Sequence, residues 1–303
     1  DEYPLLAAWL KANEPALNRI STAASQTKWY VPLIPVDDKP PTLYSCPIYT
    51  ASILYEPAKA VGARAMLTLK SGNVKGAWQD IMRLHRLARL LAQERLLVTR
   101  LVSMVVEYQA TMAARGLALS GRMSSEMAKS FLADLEDLPA FAEMSGFLTF
   151  ERYSALDLVG CIAREGPAAL FDRFGEEVAS FFAGKEARSG VVRLDWDEVF
   201  VQVNSWYDTL VEAGTKPTYA ERTRGFAAFG LRLTDLKKRA GGMDRAALWV
   251  EARRLARDPT KNRARMKEVS RRIGAVLTSA LIPTLHKAFV LHDRTIVEGR
   301  LAK

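Results

Sequence analysis

Along residues 73–93 apolar side chains return every third or fourth position. Ile81, Leu84, Leu87, Ala88 and Leu91 fall on one stripe of a helix. The same period governs nearly the whole chain. It predicts helices over 3–12, 15–25, 57–71, 73–93, 95–119, 124–137, 143–165, 196–213, 218–240, 244–257 and 260–300, with short helices over 168–183 and a kink at Pro283. The punctuation agrees. Pro4 and Pro15 stand at helix starts, where a missing N–H is harmless. Ser71-Gly72-Asn73 makes a turn, Ser124 or Ser125 caps the helix that follows it, and Pro139 and Gly166-Pro167 stop two others. Only residues 29–55 have room for a brief strand or hairpin. The fold class is therefore all-α: successive antiparallel helical hairpins, as an irregular bundle or a solenoid-like stack.

Residues 29–57 break the pattern. Prolines at 32, 35, 40, 41, 47 and 57 forbid one continuous helix. The segment is a long Pro/Tyr-rich loop, either a lid packed on the helical body or a binding loop. In the second reading Trp29, Tyr30, Tyr44 and Tyr49 form a protein interface, since aromatic anchors carry much of the energy of such contacts. A second break, at 184–193, divides a helical region 1–183 from a basic helical region 194–303, the two packed as one continuous unit. Residues 61–84 look somewhat like one tetratricopeptide unit, with Ala65, Gly72-Asn73, Ala77 and Ile81 in place. The unit's final proline is missing and a step of 34 residues does not recover the pattern, so no true repeat is present.

Charge is unevenly spread over the 303 residues. The net charge is +9, yet Lys216 to Lys303 alone holds 21 basic against 8 acidic residues, leaving the rest slightly acidic. The densest run, 253–272, reads RRLARDPTKNRARMKEVSRR. Arg253, Arg254, Arg257, Lys261, Arg265 and Arg272 are candidate anion-binding residues, facing nucleic acid or an anionic membrane surface. If 260–272 is helical, Lys261, Arg265 and Arg272 lie near one face, and Met266, Val269, Ile273, Val276 and Leu277 form the buried one. The run faintly resembles the first helix of a helix-turn-helix, but no polar recognition helix follows it.

Chemistry-bearing motifs are scarce. The histidines, His85, His286 and His292, form neither a zinc-type cluster nor a nucleophile–base pair. There is no phosphate-cradling glycine loop, and no cofactor, metal or catalytic residue is expected. His85 lies beside an apolar stripe with no carboxylate three or four residues away on its own helix, so it reads as a packed histidine, with Arg83, Arg86 and Arg89 on the surface. Asp195, Asp197 and Glu198 read as a helix start. Glu151, Arg152 and Asp157 read as ion-pair or interhelix hydrogen-bond partners. Cys46 and Cys161 lack metal spacing, and the sequence leaves open whether they pair. An interhelical pocket lined by Met104, Tyr108, Tyr153 and Cys161 would suit an enzyme or small-ligand carrier.

The segments LAAWLKANEPAL (6–17), DIMRLHRLARLLAQERLLVTRLVSM (80–104), FERYSALDLV (150–159), WDEVFVQVNSWYDTLV (196–211) and LIPTLHKAFVLHDRT (281–295) resemble, in pattern and order, a group of uncharacterised helical proteins typical of planctomycete-like bacteria. That resemblance brings no activity and no functional residues. It implies an envelope or periplasmic setting, with a hydrophobic anchor upstream, and the start at Asp1 fits a processed or trimmed chain. The expected function is a non-enzymatic interaction or scaffold protein of the cell envelope, with another protein as partner. The alternatives are a polyanion-binding helical protein and a cytoplasmic location. The oligomeric state is open.

Overall fold

Two short helices, α1 (Pro4–Ala12) and α2 (Glu14–Ala24), open the chain, each with a proline in its first turn. Nine more α-helices follow among the described residues: α3 (Tyr49–Lys70), α4 (Val74–Leu91), α5 (Leu97–Leu119), α6 (Ser125–Glu136), α7 (Ser145–Glu165), α8 (Trp196–Gly214), α9 (Tyr219–Gly241), α10 (Arg245–Leu255) and α11 (Arg263–Leu281). A 3-10 turn at Leu43–Ser45 precedes α3. The computed structural model describes residues 3–36, 41–46, 49–141, 145–168, 170, 176, 192–258 and 260–282, and among these no strand occurs. None of these helices is long and apolar enough to cross a membrane. The end of the helix expected over 260–300, its Pro283 kink and the pieces over 168–183 fall largely outside the described residues.

The chain forms two units. The first comprises Asp1–Pro32, Ile48–Glu143 and Leu291–Lys303. In it α4 packs against α3 and α5, and it also meets α2 and α6. The hairpin turn is built from local chemistry: Gly72 takes φ 89° to end α3, and the Asn73 side chain accepts a hydrogen bond from the Gly76 N–H at 2.8 Å to start α4. Ala65 of α3 and Ala77 and Ile81 of α4 are fully buried in one core cluster. Arg122 donates to the Leu69 and Lys70 carbonyls and so caps the end of α3. The Trp78 ring stacks on Phe131 at 4.3 Å, and its indole N–H donates to Asp134 at 2.7 Å, which fixes α6 on α4.

The Pro/Tyr-rich stretch is shorter than the prolines suggest. Helix α3 begins at Tyr49 and carries Pro57 inside it. One proline forfeits one hydrogen bond, here to the carbonyl of Ile53, and that turn lies toward solvent, where water can take its place. Ala58, Ala60 and Val61, just beyond, are buried and hold the helix to the core.

The second unit comprises Leu33–Pro47 and Met144–Val290. Helix α7 belongs here because it packs on α8, so the division by packing precedes α7; the expected break at 184–193 lies almost wholly outside the described residues. Helix α8 also meets α9 and α11, burying Val199, Val203, Trp206, Tyr207 and Leu210. Its start is capped as the sequence indicates, with the Asp195 carboxylate accepting from the Glu198 N–H at 3.4 Å. Thr218 and Glu221 form a capping box at the start of α9. On α11 the expected apolar face, Met266, Val269, Ile273, Val276 and Leu277, is buried. The Asp157 carboxylate of α7 accepts the Leu43 N–H at 2.8 Å, tying the 3-10 turn to α7, and Arg152 pairs with Asp208 of α8 at 2.6 Å.

Two glycines of α9 make opposite predictions. A Cβ on Gly225 would lie 3.1 Å from the Ala213 Cβ and 3.2 Å from its Cα, whereas one on Gly241 meets nothing. Gly225→Val should therefore push α8 and α9 apart and cost about 2–3 kcal/mol, while Gly241→Ala should stabilise by about 0.5–1 kcal/mol. Urea unfolding of the two variants checks both signs.

Candidate functional site

The basic run folds into a corner. Helix α10 ends at Leu255 and α11 begins at Arg263, one turn later than a helix starting at 260. The delay comes from side chains that bond the backbone. The Asp258 carboxylate accepts the Lys261 N–H at 3.2 Å, and the Asn262 amide donates to the Asp258 carbonyl at 2.9 Å. Lys261 thus sits in the turn and not on the helical face with Arg265 and Arg272. Arg254, Arg257 and Lys261 are exposed, while Arg253 and Arg272 are half-buried.

Carboxylates divide the corner's charge. Arg265 donates to Glu251 at 2.8 Å and to Glu268 at 2.7 Å, and these bonds hold its guanidinium more firmly protonated than usual. Lys267 and Arg271 both pair with Glu198 of α8, whose carboxyl is held below the usual range by Lys267 first and Arg271 second. Of the six candidates, Arg254, Arg257 and Lys261 are exposed and carry no ion pair among the described residues. They flank the start of α11, which has no acidic residue in its first turn and no side-chain cap. An anion is favoured there by charge and by the helix dipole alike. Glu268 is legible as a partner from its three-residue spacing to Arg265; Glu251 and Glu198, on other helices, are not.

The four aromatic candidates do not behave alike. Trp29 packs half-buried on the first unit's core; its N–H donates to Gln93 at 3.0 Å and its indole to Glu94 at 3.1 Å. It is a strap, not the exposed anchor expected. Burial lifts the Glu94 carboxyl above its ordinary value. Tyr30 is 85% exposed. Tyr44 lies in the 3-10 turn of the second unit and Tyr49 opens α3, with side chains outside the described set.

The densest polar chemistry is buried. His85 of α4 is closed off from solvent, as expected, but a carboxylate does orient it: Nδ1 donates to Glu107 Oε2 of α5 at 2.9 Å. Arg89 donates to the same oxygen at 2.8 Å and to the Pro139 carbonyl at 2.9 Å, so it is half-buried and turned toward the core and not a free surface residue. The stem of Arg89 runs inward because its partner is buried with it. Burial alone would push the Glu107 carboxyl up; His85 and Arg89 more than reverse this and hold it below the usual carboxylate range. Asp80, also buried, accepts hydrogen bonds from Arg64, at 2.8 and 2.7 Å, and from Arg83, at 2.6 Å. Arg100, fully buried, has its guanidinium 4.5 Å from the Phe141 ring, and burial lowers its pKa to about 10.

This cluster links helices. His85 Nε2 is buried and makes no hydrogen bond with any described residue, so the imidazole does not reach a second polar group. Among the described residues no group of three His, Cys, Asp or Glu side chains could hold a metal ion. Cys46 and Cys161 are buried free thiols; burial first, then Asp157, pushes the Cys46 thiol up. Of the proposed pocket residues, Met104 and Cys161 are buried in the interior, while Tyr108 and Tyr153 are exposed. No family model, no curated protein and no solved structure matches the chain.

Glu107 sets an acid limit. Because its folded pKa is depressed, its contribution is present above the unfolded carboxyl value, about 4.3, and is lost as pH falls through the lower folded value. Glu107→Gln should cost about 2–3 kcal/mol at pH 7. The gap between the two proteins should narrow steadily in urea titrations taken from pH 5 to pH 3.

Proposed function

We propose that this chain is a non-enzymatic interaction protein, a helical scaffold of the cell envelope that docks a protein partner through α1. The supporting observation is the state of that helix. Of its apolar residues only Leu10 is seated in the core; Tyr3, Leu6 and Trp9 are exposed, and Leu5 is 87% exposed. An apolar helix left outside is unusual for a monomer and suits an anchor patch. Lys70 lies 4.9 Å above the Tyr3 ring and, with Lys11, gives the patch a polar rim. The envelope setting comes from the sequence resemblance alone.

A photo-crosslinking residue at position 9, introduced in the source cells, should give one discrete adduct recovered with the envelope fraction. The same residue at exposed Leu231 of α9 should give none. Leu5→Asp beside it should remove the adduct without lowering Tm, because Leu5 touches little. Equal labelling from both positions, or an adduct only in the cytosol, would sink the reading.

A second reading, polyanion binding, is favoured by Arg254, Arg257 and Lys261, exposed and without an ion pair among the described residues, beside the start of α11, which has no side-chain cap. Three phosphate contacts imply a roughly 40-fold loss of affinity between 50 and 200 mM salt. Reversing all three charges to Glu should abolish binding of a fluorescent oligonucleotide at 50 mM. Retained binding in that variant excludes this corner.

A further inference from the structure

Helix α5 is apolar on two faces. Its inner face, Ser103, Val106, Ala110, Ala113 and Leu117, is buried, and α5 packs on α3 and α4. On the outside Leu101, Val105, Tyr108, Met112, Arg115 and Leu119 follow one another at steps of four, three, four, three and four. That is the heptad spacing of a coiled-coil seam. Leu101 and Val105 are half-buried, but Tyr108 is 50%, Met112 46% and Leu119 78% exposed. A surface helix needs one apolar stripe; a helix with two is built to lie between neighbours.

We propose that this outer seam pairs with the same seam of a second copy, antiparallel, as a short two-stranded contact. Charge argues for an identical partner. Met104 and Val102, beside the first turns of the seam, pack into the core; the flanking positions nearer solvent are Gln109 and Gly116 on one side and Thr111 and Ala118 on the other. None is charged, so identical helices meet no like-charge repulsion where coiled coils choose their partners. Small Gly116 and Ala118 let the backbones approach. The seam is also self-matching about residue 110: Leu101 meets Leu119 of the second copy, Tyr108 meets Met112, and Val105 meets Arg115. Arg115 lays its stem along that valine and carries its guanidinium out beside Tyr108 of the other copy. The contact runs about 27 Å along the helix, at the small end for a specific interface, so a dissociation constant on the order of micromolar is expected. The α1 reading uses a different helix and stands or falls separately.

Sedimentation equilibrium from 1 to 100 µM tests the pairing. The expected result is a monomer–dimer equilibrium that Leu119→Glu and Met112→Glu each shift at least tenfold toward monomer. Leu5→Asp should leave it unchanged. Leu119 is so exposed that its variant should keep the parent's circular dichroism, which separates lost pairing from lost folding. Direction is read by oxidative crosslinking against the parent chain. Leu101→Cys with Leu119→Cys should give a covalent dimer, and Leu119→Cys alone should not. A chain that stays monomeric at 100 µM overturns the proposal. So does a dimer indifferent to both glutamates, or one that Leu119→Cys alone can crosslink.

Discussion

The first unit is organised by two carboxylates that have been taken out of water. Asp80 and Glu107 are both buried, and a buried charge is tolerated only when opposite charges and hydrogen-bond donors are delivered to it. That requirement reaches across helices. Asp80 on α4 needs Arg64 from α3, and Glu107 on α5 needs His85 and Arg89 from α4. Apolar packing between the same helices would tolerate a slide of one turn. The ion pairs would not, because a slide strands a charge in the interior. The polar pairs therefore fix the register of α3, α4 and α5, and the apolar stripes supply the driving force.

The helices were legible because periodicity and caps are local. Asn73, Ser124, Asp195 and Thr218 each accept from a backbone N–H three residues on, and each stands where the sequence changes from turn to stripe. What failed depends on distant residues. Three-residue spacing puts Arg89 off the apolar stripe and so on the surface. It is drawn inward by Glu107, 18 positions away. His85 has no carboxylate on its own helix, and its partner comes from the next. Trp29 reads as an exposed aromatic in a proline-rich loop, yet Gln93 and Glu94 hold it down from 64 and 65 residues away. Pro57 marks an end to extended chain by its chemistry, but buried residues beyond it carry the helix through.

The same lesson separates the faces of the basic corner. Counted along the chain, 253–272 is one dense run of positive charge. Folded, Arg265, Lys267 and Arg271 are spent on Glu251, Glu268 and Glu198, which knit α10 to α11 and α11 to α8. Exposed pairs of this kind add little stability one by one. Their effect is to leave the exposed positive potential on Arg254, Arg257, Lys261 and Arg263, at a helix start whose own dipole has the same sign. A run that looks like a diffuse polyanion stripe becomes a small patch.

Outward-facing apolar residues need the opposite scrutiny. Single exposed leucines are ordinary, and Val201, Leu231 and Val250 require no explanation. The residues of α1 and the outer face of α5 differ because they are grouped by helix geometry. On α1 nearly the whole helix is left out. On α5 heptad spacing, interrupted by Arg115, runs opposite a filled inner face, and apolar residues so spaced are costly to keep where water touches them. Water rewards polar residues at those positions, whereas a second helix rewards the alternation of three and four. The spacing on α5 is thus evidence about what lies against it, in the same way that the spacing on α4 is evidence about the core.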